Sequence, residues 1–74
     1  MENLKKIYIT TDYIKLQQFL KLAGVVGQGS DAKILILDGQ VKVNSKIEIQ
    51  RGKKIKVNDI VEVKEIGKFI ACTN

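Results

Sequence analysis

Two kinds of periodicity in one short chain predict an α+β fold, with two packed helices against a small twisted, mostly antiparallel sheet. Apolar residues recur at helical spacing at Leu16, Phe19, Leu20 and Ala23, and a second short apolar stripe follows at Ala32, Leu35 and Ile36. Beyond Gly39 the period shortens to two, with Val41 and Val43 alternating with Gln40, Lys42 and Asn44.

Taken in order, Ile7 and Ile9 alternate with Tyr8 and Thr10, which predicts a first half-buried strand that Thr10-Thr11-Asp12 closes. The first helix runs from Leu16 and ends at Gly24, a residue suited to the left-handed C-terminal cap. A glycine-rich connector, Gly24-Val25-Val26-Gly27-Gln28-Gly29, leads to Ser30 and Asp31, either of which can cap the second helix. That helix stops at Asp38-Gly39. Asn44-Ser45-Lys46 turns the next strand into a hairpin whose return arm carries Ile47 and Ile49. Arg51-Gly52-Lys53-Lys54 forms a basic turn, and Ile55 and Val57 precede a second turn at Asn58-Asp59. Ile60 to Val63 begins a further strand, and after Gly67 the segment Phe69-Ile70-Ala71 is expected to pair back with the first.

A chain of 74 residues buries only about 60–65% of its unfolded surface, so one domain over 1–74 with a modest core is expected. The longest apolar run, Ile34 to Leu37, is far below the ~20 residues of a membrane span. Met1 to Lys6 lead into a strand pattern and not into the apolar region of a signal peptide, which points to the cytoplasm and away from membranes. Cys72 is alone and forms no internal disulfide. Histidine is absent, which removes the commonest general base and excludes zinc sites of the Cys/His type.

Gly24 and Gly29 have the glycine spacing of a phosphate-binding loop, yet Ser30-Asp31 stands where Lys-Ser or Lys-Thr is required, and the loop follows a helix. No two of the eight carboxylates have the spacing of a catalytic pair, so no enzyme, cofactor, metal or small-molecule substrate is expected. Thirteen Lys and Arg against eight Asp and Glu give +5, which favours a polyanionic partner. Lys15 and Lys33 lie near the starts of the two helices and off their apolar stripes. Lys42 and Lys46 flank the hairpin turn, and Arg51, Lys53, Lys54 and Lys56 crowd a stretch without a carboxylate between Glu48 and Asp59. Several lysines on one surface can track a nucleic-acid backbone. With only Tyr8, Tyr13, Phe19 and Phe69 as rings, an aromatic platform for bases is not expected.

From residue 15 to 63, the order Lys15-Leu16-x-x-Phe19-Leu20, Ala32-Lys33-x-x-Ile36, Gly39-x-Val41-x-Val43-Asn44, Asp59-x-Val61 resembles the S-four RNA-binding domain, the alpha-L motif. Phe19 to Ala23, Arg51 to Ile55 and Gly67-Lys68-Phe69 look like its stand-alone YaaA-type bacterial members. The resemblance implies binding of structured RNA through the helix pair with its adjoining strand and loops, with Lys15 and Lys33 at positions used for RNA phosphates. Gln28-Gly29 stands where many members have Ser-Arg, so Gln28 takes the place beside a missing arginine. Ser45 and Asn58 replace glycines, and a serine adopts positive φ less readily than an asparagine. The expected function is a monomeric, non-enzymatic protein that binds structured RNA, ribosomal RNA in the stand-alone group, with a role in ribosome assembly. The alternative is a protein-interaction adaptor that docks through its sheet edge.

Overall fold

The computed structural model describes residues 4–73. Met1 to Asn3 and Asn74 lie outside the described residues. The elements run β1 (Leu4–Tyr8), β2 (Tyr13–Lys15), α1 (Leu16–Leu22), α2 (Gly29–Leu37), β3 (Val41–Val43), β4 (Lys46–Ile47), β5 (Lys54–Lys56), β6 (Ile60–Val63) and β7 (Gly67–Cys72). They form an α+β fold with a five-stranded sheet in the order β1-β7-β6-β3-β4 and a separate ribbon of β2 and β5.

All sheet pairings are antiparallel except β1 with β7, which is parallel, with Leu4 opposite Lys68 and Tyr8 opposite Cys72. The last strand therefore pairs with the first as expected, and lies in the interior of the sheet between β1 and β6. The first strand begins three residues earlier than the Ile7–Thr10 alternation indicates, at Leu4. Ile9 is buried just past its end, where its N–H donates to the Cys72 carbonyl at 2.8 Å and prolongs the ladder.

Val41, Val43, Val61, Val63, Phe69 and Ala71 point to one side of the sheet and join Leu16, Phe19, Leu20, Ala32, Ile36 and Ile55 in one buried cluster. Fully burying a side chain of this size is worth about 1.5–3 kcal/mol relative to leaving it exposed. The opposite side of the sheet carries Lys42, Glu62 and Lys68 in register, with Ile47 beside Lys42 at the β4 edge. Ile47 and Ile49 are both exposed, and β4 stops at Ile47. The expected continuation to Ile49 fails because an edge strand with no buried face has nothing to hold its alternation in register.

Both helices end in the same way. Gly24, at φ +77°, donates to the Lys21 carbonyl at 3.0 Å while Val25 donates to Leu20 at 3.0 Å. Gly39, at φ +76°, donates to Ile36 at 3.1 Å while Gln40 donates to Leu35 at 3.2 Å. These paired bonds are the Schellman arrangement, which needs a left-handed residue just past the helix. The start of α2 differs from expectation: Gln28 is the cap, and Ser30 and Asp31 lie within the first turn. The Gln28 carbonyl takes the N–H groups of Asp31 and Ala32 at 3.1 and 3.3 Å, and the Asp31 carboxylate still favours that end of the helix through the dipole.

The hairpin between β3 and β4 has two residues in its loop, Asn44 and Ser45, at φ 51° and 75°. Consecutive positive φ values define the turn whose twist matches a right-handed strand pair, and non-glycine residues adopt them at a cost. Asn44 offsets that cost with its side chain: Nδ2 donates to Asp59 Oδ1 at 3.1 Å, and Oδ1 accepts the Ile60 N–H at 2.9 Å. The Ser45 side chain makes no such bond among the described residues. Ser45→Gly is expected to stabilise the fold by a few tenths to about 1 kcal/mol, despite the greater freedom of glycine in the unfolded chain. A thermal melt checks it, and a lower melting temperature than wild type would show that φ at this position carries no strain.

Candidate nucleic-acid interface

Residues 13–15 and 54–56 meet across two short strands, and this ribbon organises the positive charge. Tyr13 pairs with Lys56, Ile14 with Ile55 and Lys15 with Lys54. Ile55 is buried and Ile14 half-buried, so the alternation sends Tyr13, Lys15, Lys54 and Lys56 outward on one face. Lys15 and Lys54 are directly opposite each other there, an arrangement of like charges that destabilises a strand pair. The Lys54 ammonium is 4.9 Å from the centroid of the Tyr13 ring, its diagonal neighbour, and the ring quadrupole attracts it.

The ribbon is fixed to the first helix by backbone bonds. Leu16 donates to the Lys53 carbonyl at 2.8 Å and Gln17 to the Arg51 carbonyl at 3.1 Å, so the basic turn itself satisfies the first free N–H groups of α1. Lysine has no side-chain acceptor with which to cap. The Lys15 N–H is instead taken by Gln18 Oε1 at 3.3 Å. Arg51 and Gly52 form the turn, closed by a 3.1 Å bond from the Lys53 N–H to Gln50. Lys54, read from the sequence as part of that turn, is the first residue of β5.

An open groove runs between the β3–β4 hairpin and β5, lined by Lys46, Lys53, Lys54, Lys56, Glu48 and Asp59, with Asn44 and Val43. Both of its carboxylates are already engaged: Glu48 accepts the Gln50 N–H at 3.1 Å, and Asp59 accepts the Lys56 N–H at 2.8 Å as well as the Asn44 amide. The groove is therefore lined by four lysines and by two carboxylates that are already hydrogen-bonded.

The other residues singled out from the sequence lie elsewhere. Lys33 is exposed on α2, which packs on α1. Gln28 is exposed at the start of α2 and makes no side-chain cap bond. Lys42 is on the outward face of the five-stranded sheet, directly opposite Glu62. The structure thus gathers Lys15, Lys53, Lys54 and Lys56, leaves Arg51 on the adjoining turn, and adds Lys46 and Tyr13. Tyr13 was missed because its strand is three residues long and its partner is some forty residues further on. Among the described residues no three Cys, Asp or Glu side chains converge as a metal site, and no helix is long and apolar enough to cross a membrane.

These elements define a small α+β domain with a basic ribbon docked on a helix pair, and the S4 domain family model matches residues 7–70. The chain belongs to the S4 domain family. It is 43% identical over 63 residues to the probable ribosome maturation protein RlbA of Bacillus subtilis (strain 168), covering 85% of this chain and 89% of that one. Its fold is similar to the solution structure of YbcJ from E. coli, whose αL motif is described as involved in RNA binding. The TM-score is 0.72 at 29% identity, over 97% of this chain and 91% of YbcJ. The ribosomal protein S4e of Thermoplasma acidophilum shares the fold at a TM-score of 0.55 and 19% identity, over 73% of this chain and 29% of that one.

Removing one of the opposed lysines separates stability from binding. Lys15→Gln is expected to leave the melting temperature unchanged or to raise it slightly, because the cross-strand repulsion with Lys54 disappears while an exposed site changes by no more than about 0.5 kcal/mol otherwise. A clear loss of stability in a thermal melt would mean that the Lys15 side chain supports the fold.

Proposed function

We propose that this chain is a non-enzymatic RNA-binding module, one S4 domain over 1–74 with its core motif at 15–63, acting as a monomer. It holds structured RNA by placing the Lys15, Lys54 and Lys56 face, the Lys46–Lys53 side of the groove and Arg51 along phosphates. Lys33, Gln28 and Lys42 extend the contact from the helix pair and the hairpin. The RNA is ribosomal, and the role is in ribosome assembly. The observation that carries this reading is the lysine pair at Lys15 and Lys54: two like charges directly opposite on an exposed ribbon destabilise the free protein and are neutralised by a polyanion. The ribosome maturation role named for the 43% identical Bacillus relative and the RNA-binding motif described for YbcJ support it. A cytoplasmic location follows from that partner and not from the fold.

Recognition of this kind is mainly of shape. Double-stranded RNA offers phosphates and 2′-hydroxyls across a shallow minor groove and hides its base edges in a narrow major groove, so lysines on a rigid ribbon read spacing and not sequence. Neutralising about four phosphates gives a slope of log K against log salt of roughly −3 to −4. A fourfold rise in salt then lowers affinity on the order of a hundredfold. A salt titration with a ribosomal RNA fragment measures the slope. Flat binding up to physiological salt would remove the electrostatic mechanism and favour an adaptor held by apolar contacts at the sheet edge.

Charge reversals locate the surface. Lys15→Glu, Lys54→Glu and Lys33→Glu each change the net charge by the same amount as Lys6→Glu, an exposed residue of β1 at the sheet edge opposite β4. The first three are expected to weaken binding more and to reduce the salt slope by about 1 each. Equal losses among four folded variants would leave only diffuse attraction of a polyanion.

A further inference from the structure

The ribbon face contains one group that phosphate binding does not need. Tyr13 keeps 41% of its surface exposed on a face that it shares with three lysines. Its backbone is pinned by the Thr11 hydroxyl, which donates to the Tyr13 carbonyl at 2.7 Å, and its ring is engaged by the Lys54 ammonium. Beside it an open groove is lined by Thr10, Asp12, Lys15 and Gln18, with Ile14 and Leu22 as apolar surface. The ring, the apolar surface and the polar groups lie together at the edge of a cationic face.

From this arrangement we infer that the Tyr13 groove receives an unpaired nucleobase, so the RNA bound here is a duplex interrupted by a bulged or flanking single nucleotide. The inference rests on the RNA-binding reading above and specifies the class of RNA. A duplex cannot offer a base face to a side chain, whereas an unpaired base stacks on any exposed aromatic ring. Tyr13 supplies such a ring on a strand fixed by Ile14 and Ile55 behind it. Lys15 and Lys56, on either side, meet the phosphates that flank the extruded base. The Gln18 amide NH₂ stays available, since only Oε1 is engaged by the Lys15 N–H, and the Thr10 hydroxyl and Asp12 carboxylate complete a donor and acceptor set for a base edge. The Lys54 ammonium over the ring serves the phosphate backbone that both paired and unpaired RNA present, and not the base.

The test uses the whole chain and two synthetic RNA hairpins of identical stem, one fully paired and one with a single bulged 2-aminopurine whose fluorescence falls on stacking. Wild type is expected to bind the bulged hairpin about tenfold more tightly, ~1.4 kcal/mol, and to quench the bulged base. Tyr13→Phe should keep both effects. Tyr13→Ala should lose the preference and the quenching. Lys54→Gln is expected to weaken both hairpins alike and leave their ratio unchanged, which separates loss of the stacking ring from loss of the ammonium that leans on it. Equal affinity of wild type for the two hairpins, or a preference that survives in folded Tyr13→Ala, overturns the unpaired-base inference and leaves the RNA-binding reading standing. Failure of wild type to bind either hairpin in a salt-dependent manner overturns both.

Discussion

The bonds between Asn44 and Asp59 join three parts of the chain that would otherwise be independent. Asn44 belongs to the β3–β4 turn, Asp59 to the turn between β5 and β6, and the Asp59 carboxylate also takes the N–H of Lys56 at the end of β5. The backbone of the second turn is tied in turn to β7, where Asn58 donates to the Ala71 carbonyl at 2.7 Å and Ala71 donates to Asp59 at 3.0 Å. Asn58 holds φ 78°, so the chain reverses there without a glycine. Everything that borders the basic groove hangs on this junction: the hairpin on one side, the lysine-bearing strand on the other. An Asn-to-Asp pair has enough donors and acceptors to satisfy both turns, and no pair of apolar residues could substitute for it at an exposed place.

That junction gives a physical meaning to two residues, Asn44 and Asp59. They hold the turns in place, and the lysines of the proposed RNA contact are presented by segments between and beside them. The same economy recurs at the first helix. Its free N–H groups are satisfied by the carbonyls of Arg51 and Lys53, so the segment that carries charge is also the cap of the helix it lies against. A turn bound at both ends in this way loses little freedom when it meets a ligand, which lowers the ordering cost of association.

Much of the fold was legible because its signals are local. The Leu16-Phe19-Leu20 stripe, the Val41 and Val61 alternations, and the glycines that end both helices state their periods within a few residues of each other. The ribbon was not legible, because Tyr13-Ile14-Lys15 is too short to show a period and its partner lies far along the chain. The parallel sense of β1 and β7 was hidden for a similar reason: pairing partners can be guessed from burial, but direction depends on the path between them. Lys15, Lys33 and the basic stretch could be selected as candidates from charge and spacing alone. That Lys15 faces Lys54 while Lys42 faces Glu62 depends on register, which is a property of the assembled sheet. Tyr13 could have been found by asking which ring falls in a strand-like triplet beside a lysine.

The position of β7 inside the sheet bears on how the chain is made. Its neighbours are β1 and β6, so Phe69 and Ala71 complete the core from an interior strand that is synthesised after the other described strands. Until that strand emerges, β1 has no neighbour, since β7 is the only strand with which it pairs among the described residues. Such distant pairing delays closure, because the entropy of the intervening loop must be lost before the contact forms. The helix pair, the ribbon and the β3–β4 hairpin are all synthesised earlier. The residues of the basic face are therefore all synthesised before the strand that completes the core, and the fold closes only once residues 67–72 are present.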